Sequence, residues 1–386
     1  MADATCVGCG CVCDDIEATA ADGQLSVART CALGDAWFAA RAAGPVASVE
    51  GRAASFEEAA DAAAAILREA RAPLVYGLGA VSCEAQRRAV ALAEALGAIV
   101  DPGGGSGAGL AFQAIGSSTA TFGEIRDRAG LVVVWRADPA ATNPRLLGRL
   151  RLDRAARGSR PLVVVDAERT ATAAQADAFV EVDPTRDFEA LWTLRALVAG
   201  APLDRDRLGE PALDDLAERL QSAEHVAFLH GALDELVALA LFSLVRDLSR
   251  ERHAVTLAVR GEGNARGAED VLAWQTGFPA AVSFARGHPR ANPGELSAAT
   301  LLERGEVDAA LVIGADAPPG LRELPTVVID AEPAHGARVA FATALAGIEV
   351  AGTAHRMDGV PLPLRALLDG DRPTAEDVLA AIAGRL

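Results

Sequence analysis

The sequence predicts an α/β protein built on parallel sheets, preceded by a small cysteine-bearing segment. Three observations predict it. Short runs such as LVVVW at Leu131–Trp135 and the LVVV of Leu162–Val165 are apolar at every position, as strands covered on both faces are. These runs alternate with helical stretches, which is the rhythm of βαβ connections. Four of the six cysteines, Cys6, Cys9, Cys11 and Cys13, fall within eight residues and set the N-terminus apart.

Taken in order, residues 1–50 hold five cysteines, alternating stretches such as DIEATA and QLSVAR, and a turn signal at Asp22-Gly23. They read as a small unit with a hairpin. From Ser55 the pattern changes: SFEEAADAAAAILREA begins with a Ser N-cap and carries Glu58 three residues on, so it reads as a capped helix. PLVYGLG reads as a strand, EAQRRAVALAEALG as a helix ending at Gly97, and AIVD as a strand. LVVVW, PLVVVD and FVEV follow as strands. The rhythm resumes with HVAFLHG, a helix from about Leu233 to Leu248, AVTLAV, DAALVIGAD and TVVIDAE, and closes on the capped helix TAEDVLAAIAGRL. The domain division expected is 1–50, 51–222 and 223–386. GLGAVS, after the strand at Leu74–Tyr76, lacks the last Gly of a dinucleotide fingerprint and reads as a tight strand-to-helix turn.

Composition excludes several classes. The chain has 386 residues, a net charge of −17 and no lysine. The acidic balance argues against a nucleic-acid partner. Without lysine there is neither a Walker A loop nor a pyridoxal Schiff base. No apolar run reaches the roughly 20 residues of a membrane span, and no basic-then-apolar leader precedes Cys6. A cytoplasmic protein is expected. Clustered thiols in such a chain read as metal or redox ligands rather than as disulfides.

The thiol spacing is Cys6-x2-Cys9-x3-Cys13, with seventeen residues between Cys13 and Cys31. Three ligands from a short loop and a fourth from a distance suit an iron–sulfur cubane, a [4Fe-4S] cluster. Gly8 and Gly10 let the backbone fold tightly around sulfur. A structural zinc accepts four thiolates too, though it more often pairs two knuckles, and unmetallated thiols are the third alternative. Cys11 is the spare. Cys83, at a helix start, reads as a core or capping-region thiol. His225, His230 and His253 flank strands and read as structural, and Trp274 as core packing. There is no cluster with metal-hydrolase spacing and no serine nucleophile elbow.

Several longer strings carry a family likeness. CVGCGCVCDDI, CALG, VVVWRADPAATNPR, RGEGN, WQTGFPAAVSFARGHPRANPGE, GEVDAALVIGAD and GIEVAGTAHRMDGVPL together resemble the B-subunit family of formylmethanofuran dehydrogenase, within the molybdopterin oxidoreductases. They also resemble its bacterial relative, the B subunit of the formyltransferase/hydrolase complex. The resemblance implies a molybdopterin-oxidoreductase-like fold, with parallel-sheet α/β domains around a cleft for a molybdopterin guanine dinucleotide carrying Mo or W. It also implies interconversion of carbon dioxide and formate, with electrons passing through the cluster.

The family holds its metal through a Cys in a stretch resembling D-x4-C-H-G-P. Here that stretch is DPGGGSGAG: Ser106 stands at the ligand position and Gly107 at the histidine. A serine oxygen can bind a hard, high-valent metal, but a thiolate is the soft ligand, and the neighbouring proton handler is gone. The glycine run could cradle phosphate or be a loop left from a lost site; no basic residue lies near it in sequence. Arg286, His288, Arg290 and Asn292 would hold pterin or phosphate oxygens if the family cleft is kept, or form a loop stabilised by its own hydrogen bonds. His355, Arg356, Met357 and Asp358 would lie at the cleft or at a subunit contact. WRADP places Arg136 where the family often has a small residue.

The expectation is therefore a non-redox scaffold B subunit in one-carbon metabolism. Its partners would be the A, C and D subunits of a complex that takes formyl-tetrahydromethanopterin to formate. The alternatives are an active Mo/W-pterin dehydrogenase subunit with Ser106 as ligand, and an iron–sulfur or zinc structural or electron-transfer protein.

Overall fold

Eighteen strands and their connecting helices are present in a computed structural model, which describes residues 2–21, 23–41, 44–103, 108–204, 211–261, 263–292, 294–333 and 336–386. Ser106 lies outside the described residues. The chain forms two compact units, one of residues 1–104 with 262–386 and the other of residues 105–261.

The first unit begins with an antiparallel sheet of β1 (Ala2–Cys6), β2 (Cys13–Ala21) and β3 (Gln24–Ala28). Its main sheet has eight strands: β4 (Ala47–Val49), β5 (Arg52–Ala54), β6 (Pro73–Gly77), β7 (Ile99–Asp101), β13 (Val282–Ser283), β14 (Ala309–Ile313), β15 (Thr326–Asp330) and β16 (Val339–Ala342). Their order is β13-β7-β6-β14-β15-β16-β4-β5; β7 through β16 run parallel and the outer strands antiparallel. A hairpin of β17 (Gly352–His355) and β18 (Pro361–Leu364) completes the unit.

Alternate residues of one strand enter different cores. Leu311 and Ile313 pack with the helices Phe56–Glu69, Cys83–Leu96 and Ala375–Ala383, while Ala310 and Val312 join Leu301 of the helix Ala298–Arg304. Burial on both faces is what makes these strands apolar throughout, and each buried Leu, Ile or Val side chain contributes about 1.5–3 kcal/mol. The helix ends follow their signals. Ser55 accepts from the amide of Glu58, Gly97 closes its helix in the left-handed region, and Thr374 with Asp377 forms a capping box.

The second unit is a five-stranded parallel sheet of β8 (Leu131–Trp135), β9 (Leu162–Asp166), β10 (Ala178–Glu181), β11 (His225–His230) and β12 (His253–Ala258), in the order β10-β9-β8-β11-β12. The helices Asp187–Val198, Pro211–Ser222 and Glu235–Leu248 bury Leu131, Val133, Val163 and Phe228 on one face. These units divide the chain differently from the sequence-based scheme. The 222/223 boundary falls inside the second unit because β8 pairs with β11 across it. The end of the first 50 residues joins the main sheet because β4 pairs with β16.

Candidate functional site

The thiols are brought together by a bulged hairpin. Cys6 and Cys13 face each other across β1 and β2, and the loop between them turns at Val12, whose φ is +35° and whose amide donates to Cys9 O at 3.1 Å. Cys6, Cys9, Cys11 and Cys13 are buried; Cys31, half-buried, is the N-cap of the helix Ala32–Ala39. The Cys11 thiol hydrogen-bonds with those of Cys13 and Cys9, and Cys6 has Cys13, Cys9 and Cys31 as electrostatic neighbours. Glycines make the closeness possible. A Cβ on Gly34 would lie 3.3 Å from Cys6 Sγ, and one on Gly8 would lie 3.0 Å from Leu33 O.

Burial pushes the Cys6 thiol up to about 12; the Gly8 amide, 3.4 Å from the sulfur, opposes this, and the neighbouring thiols add to it. Cys11 is raised by its bonds to Cys13 and Cys9 and by burial. Such thiols ionise together only when a cation compensates them. Among the described residues no group of three or more His, Cys, Asp or Glu side chains is arranged to hold a single metal ion. A cubane takes each thiolate at a separate corner, so its ligands need not converge on one point.

The loop rests on two distant segments. Val7 and Val12 pack with Ala354, Leu362 and Leu364 of the β17–β18 hairpin. Met357 N donates to Gly10 O at 3.0 Å, and Thr5 Oγ1 donates to Pro363 O at 2.9 Å. Gly263 lies so close that a Cβ there would fall 1.9 Å from Val7 O. Beside it a buried polar knot joins three more segments. Asn264 Nδ2 donates to Val81 O at 2.7 Å, Asn264 Oδ1 accepts from the His355 amide at 2.7 Å, and Gln86 Nε2 donates to Leu78 O at 2.9 Å and Asn264 O at 3.1 Å. His355 Nδ1–H donates to Asp270 at 2.7 Å. Trp274, expected in the core, is 65% exposed and stands edge-on to His355. No local signal in the sequence marks Gly263, Asn264, Gln86 or Asp270; RGEGN is a string without periodicity to show which side chains turn inward.

Parallel α/β sheets bind ligands at the carboxyl ends of their strands, where the strand order reverses. In the first unit that point lies between β6 and β14, and it is closed. Leu78 N donates to Ile313 O at 2.6 Å and Ala80 N to Gly314 O at 3.0 Å. A Cβ on Gly77 would meet Ala315 Cβ at 2.5 Å. Beside it remains a cavity of about 40 Å³ whose ionisable lining groups are Asp330 and Glu376, room for roughly one water. Burial raises the Asp330 pKa. A pyrophosphate does not fit between two carboxyl groups in such a space.

Other expected residues are placed as follows. Asp101 accepts from the amides of Gly103 at 3.0 Å and Ala298 at 2.6 Å, anchoring the strand before the glycine run to a helix start. Arg286, His288, Arg290 and Asn292 are exposed on the loop after β13. That loop leaves beside Ala98, at the amino end of β7, away from the carboxyl ends. It is held by its own bonds: Ser283 and Arg290 exchange amide–carbonyl pairs at 2.8 and 3.0 Å, His288 Nδ1 donates to Arg286 O at 3.2 Å, and Asn292 donates to Glu295. Neither the thiols nor the β6–β14 crossover is among these contacts. Cys83 is a buried helix-start thiol beside Asn264. His230 is buried, and His225 and His253 pair in register with rings 5.3 Å apart.

Parallel α/β sheets in a chain that carries a thiol-bearing hairpin near the start of its sequence place it in the class with the molybdopterin oxidoreductase fold. Acetylene hydratase from Pelobacter acetylenicus has the same fold, with a TM-score of 0.58 and 14% identity over 99% of this chain and 69% of that one. Within that class, the chain belongs to the B-subunit family of formylmethanofuran dehydrogenase. It is 33% identical to the B subunit of the tungsten-containing formylmethanofuran dehydrogenase 2 of Methanocaldococcus jannaschii, over 94% of this chain and 93% of the relative. It is 31% identical to the B subunit of the formyltransferase/hydrolase complex Fhc of Methylorubrum extorquens, over 68% of this chain and 73% of the relative. The crystal structure of the latter organism's formyltransferase/hydrolase complex, in complex with methylofuran, matches with a TM-score of 0.73 and 29% identity over 88% of this chain and 98% of that chain. No protein-family model matches the sequence.

Proposed function

We propose that this chain is the non-redox B subunit of a cytoplasmic formyltransferase/hydrolase complex in one-carbon metabolism. It holds the A, C and D subunits that take formyl-tetrahydromethanopterin to formate, and it carries a [4Fe-4S] cluster on Cys6, Cys9, Cys13 and Cys31. The observation that carries the reading is the missing thiol. Five cysteines lie in residues 1–50 and the sixth, Cys83, is buried against Asn264, so the 101–109 stretch offers no sulfur to a heavy metal. The closed, acidic crossover of the first unit supports it. The likeness to the Fhc chain and to the solved complex supports the partners. No described helix is long and apolar enough to cross a membrane.

The likeness to the tungsten-containing enzyme favours a second reading, an active Mo/W-pterin subunit with Ser106 as metal ligand. Elemental analysis of the anaerobically purified complex, with dye-reduction assays, separates the two. The scaffold reading expects about four iron atoms per chain, no molybdenum or tungsten, and co-elution of the partner subunits. Stoichiometric tungsten or molybdenum with formate-driven dye reduction overturns it in favour of the second. Zinc in place of iron overturns the cluster assignment.

A further inference from the structure

At the carboxyl end of the second sheet the order reverses between β8 and β11, which marks where an α/β sheet takes its ligand. Closed backbone occupies the reversal itself, and the Arg136 side chain occupies the strand ends next to it. The backbone after β11 closes on that after β8: Gly231 N donates to Trp135 O at 3.1 Å, and a Cβ on Gly231 would fall 1.9 Å from Arg136 O. The Arg136 side chain then covers the ends of β9 and β10. Its fork binds Asp187 through Nε at 2.8 Å and Nη2 at 2.9 Å. Nη1 donates to Asp166, the last residue of β9, at 3.2 Å, and Nη2 also donates to Val182 O at 2.7 Å. The side chains of Arg136 and Asp187 are only 11% and 7% exposed. Arg136 sits at φ +51°, a conformation costly for a branched or bulky residue and free for glycine.

We propose that Arg136 is an internal ligand: its guanidinium fills the carboxylate-lined end of the second sheet, where a planar external group with two adjacent N–H donors would otherwise bind. A bidentate fork on a carboxylate is matched by a substituted guanidine or by the N1–H and N2–H edge of a guanine base, and by little else that is common. Asp187, reinforced by Trp135 Nε1 at 3.2 Å, and Asp166 are thus a recognition pair already satisfied from within. Burial works against the Arg136 charge, and the bonds to Asp187 and Asp166 outweigh it. This deepens the non-redox reading, yet uses neither the thiols nor residues 101–109.

The test compares wild-type complex with Arg136→Gly by thermal unfolding, with methylguanidine, GDP or buffer. Arg136→Gly relieves the backbone and leaves the buried Asp187 and the half-buried Asp166 without their cation, so its Tm is expected to fall by about 6–10 °C. Millimolar methylguanidine should restore part of that loss saturably, and Arg136→Gly/Asp187→Asn should not respond. Wild type should respond to neither ligand. A GDP shift in Arg136→Gly identifies the guanine edge as an acceptable source of the fork; a shift with methylguanidine alone restricts it to guanidines. Should Arg136→Gly not accumulate folded, refolding yield with and without methylguanidine gives the same readout. A saturable GDP shift in wild type, or no methylguanidine response in Arg136→Gly, overturns the proposal. Tungsten or molybdenum in the complex, with wild type still unresponsive, overturns only the non-redox reading.

Discussion

The amide of His355 donates to Oδ1 of Asn264 at 2.7 Å, and that one bond fastens the C-terminal hairpin to the loop beneath the thiols. Asn264 is almost fully buried and also donates to Val81 O at 2.7 Å. Asn264→Ala leaves the buried His355 amide without a partner and the Val81 carbonyl with only the longer 3.4 Å bond from Gln86 Nε2. The expected cost is about 2–4 kcal/mol, measured as a lowered unfolding midpoint, with Asn264→Asp intermediate because its Oδ1 still accepts from His355.

Gly263→Ala tests the seat of the thiol loop. The new Cβ would fall 1.9 Å from Val7 O, a backbone atom that cannot step aside alone. The loop is expected to lift while the two main sheets persist. Iron content should fall at least tenfold, with far-ultraviolet circular dichroism nearly unchanged. Full iron retention would show that the contact does not govern the loop.

Cys11 and Cys9 should behave differently although both are buried. Cys11→Ala removes a small packed thiol, costing about 1 kcal/mol, and is expected to leave iron per chain and absorbance near 400 nm unchanged. Cys9→Ala removes a proposed ligand and should abolish both. Equal loss in the two variants would make Cys11 a ligand.

His230 supplies a pH dependence whose sign follows from its burial. Desolvation lowers its pKa from 6.5 to about 4, against the pull of the Gly231 carbonyl that its Nδ1–H meets at 2.8 Å. Between those values the unfolded chain binds the proton and the folded chain does not. Stability is thus intact above pH 6.5 and lost as the pH falls toward 4, by up to about 3 kcal/mol. His230→Asn keeps a donor for Gly231 O and removes the titration. The stability difference between wild type and variant should shift by that amount across the window, measured by urea unfolding at several pH values.

Sequence displayed the elements better than their partnerships. Val163–Val165 and Ala309–Ile313 are strands because every residue is buried, and Ser55, Gly97 and Thr374 are boundaries with a local chemical cause. That β14 inserts beside β6, pairing Ala309 with Pro73, has no local signature: one apolar strand offers the same ladder to any other. The grouping of the cysteines was legible from spacing, but their seat was not, since Gly263 and Asn264 act through closeness and a single carbonyl. Trp274 reads as core by size, yet the inward stripe of its helix is Ala268, Val271 and Leu272. The WRADP string marks Arg136 as unusual, but its partners Asp166 and Asp187 lie on separate elements thirty and fifty-one residues away.

The interrupted first unit dictates an order of events during synthesis. Residues 105–261 are contiguous and all five of their strands pair among themselves, so this portion can close while the remainder is still on the ribosome. The thiol hairpin emerges more than two hundred residues before Gly263, Met357 and Pro363, which it leans on. Until those residues have been made the sulfurs have no floor, so any inorganic cofactor delivered to them must arrive after that point, or be held there by a chaperone in the meantime.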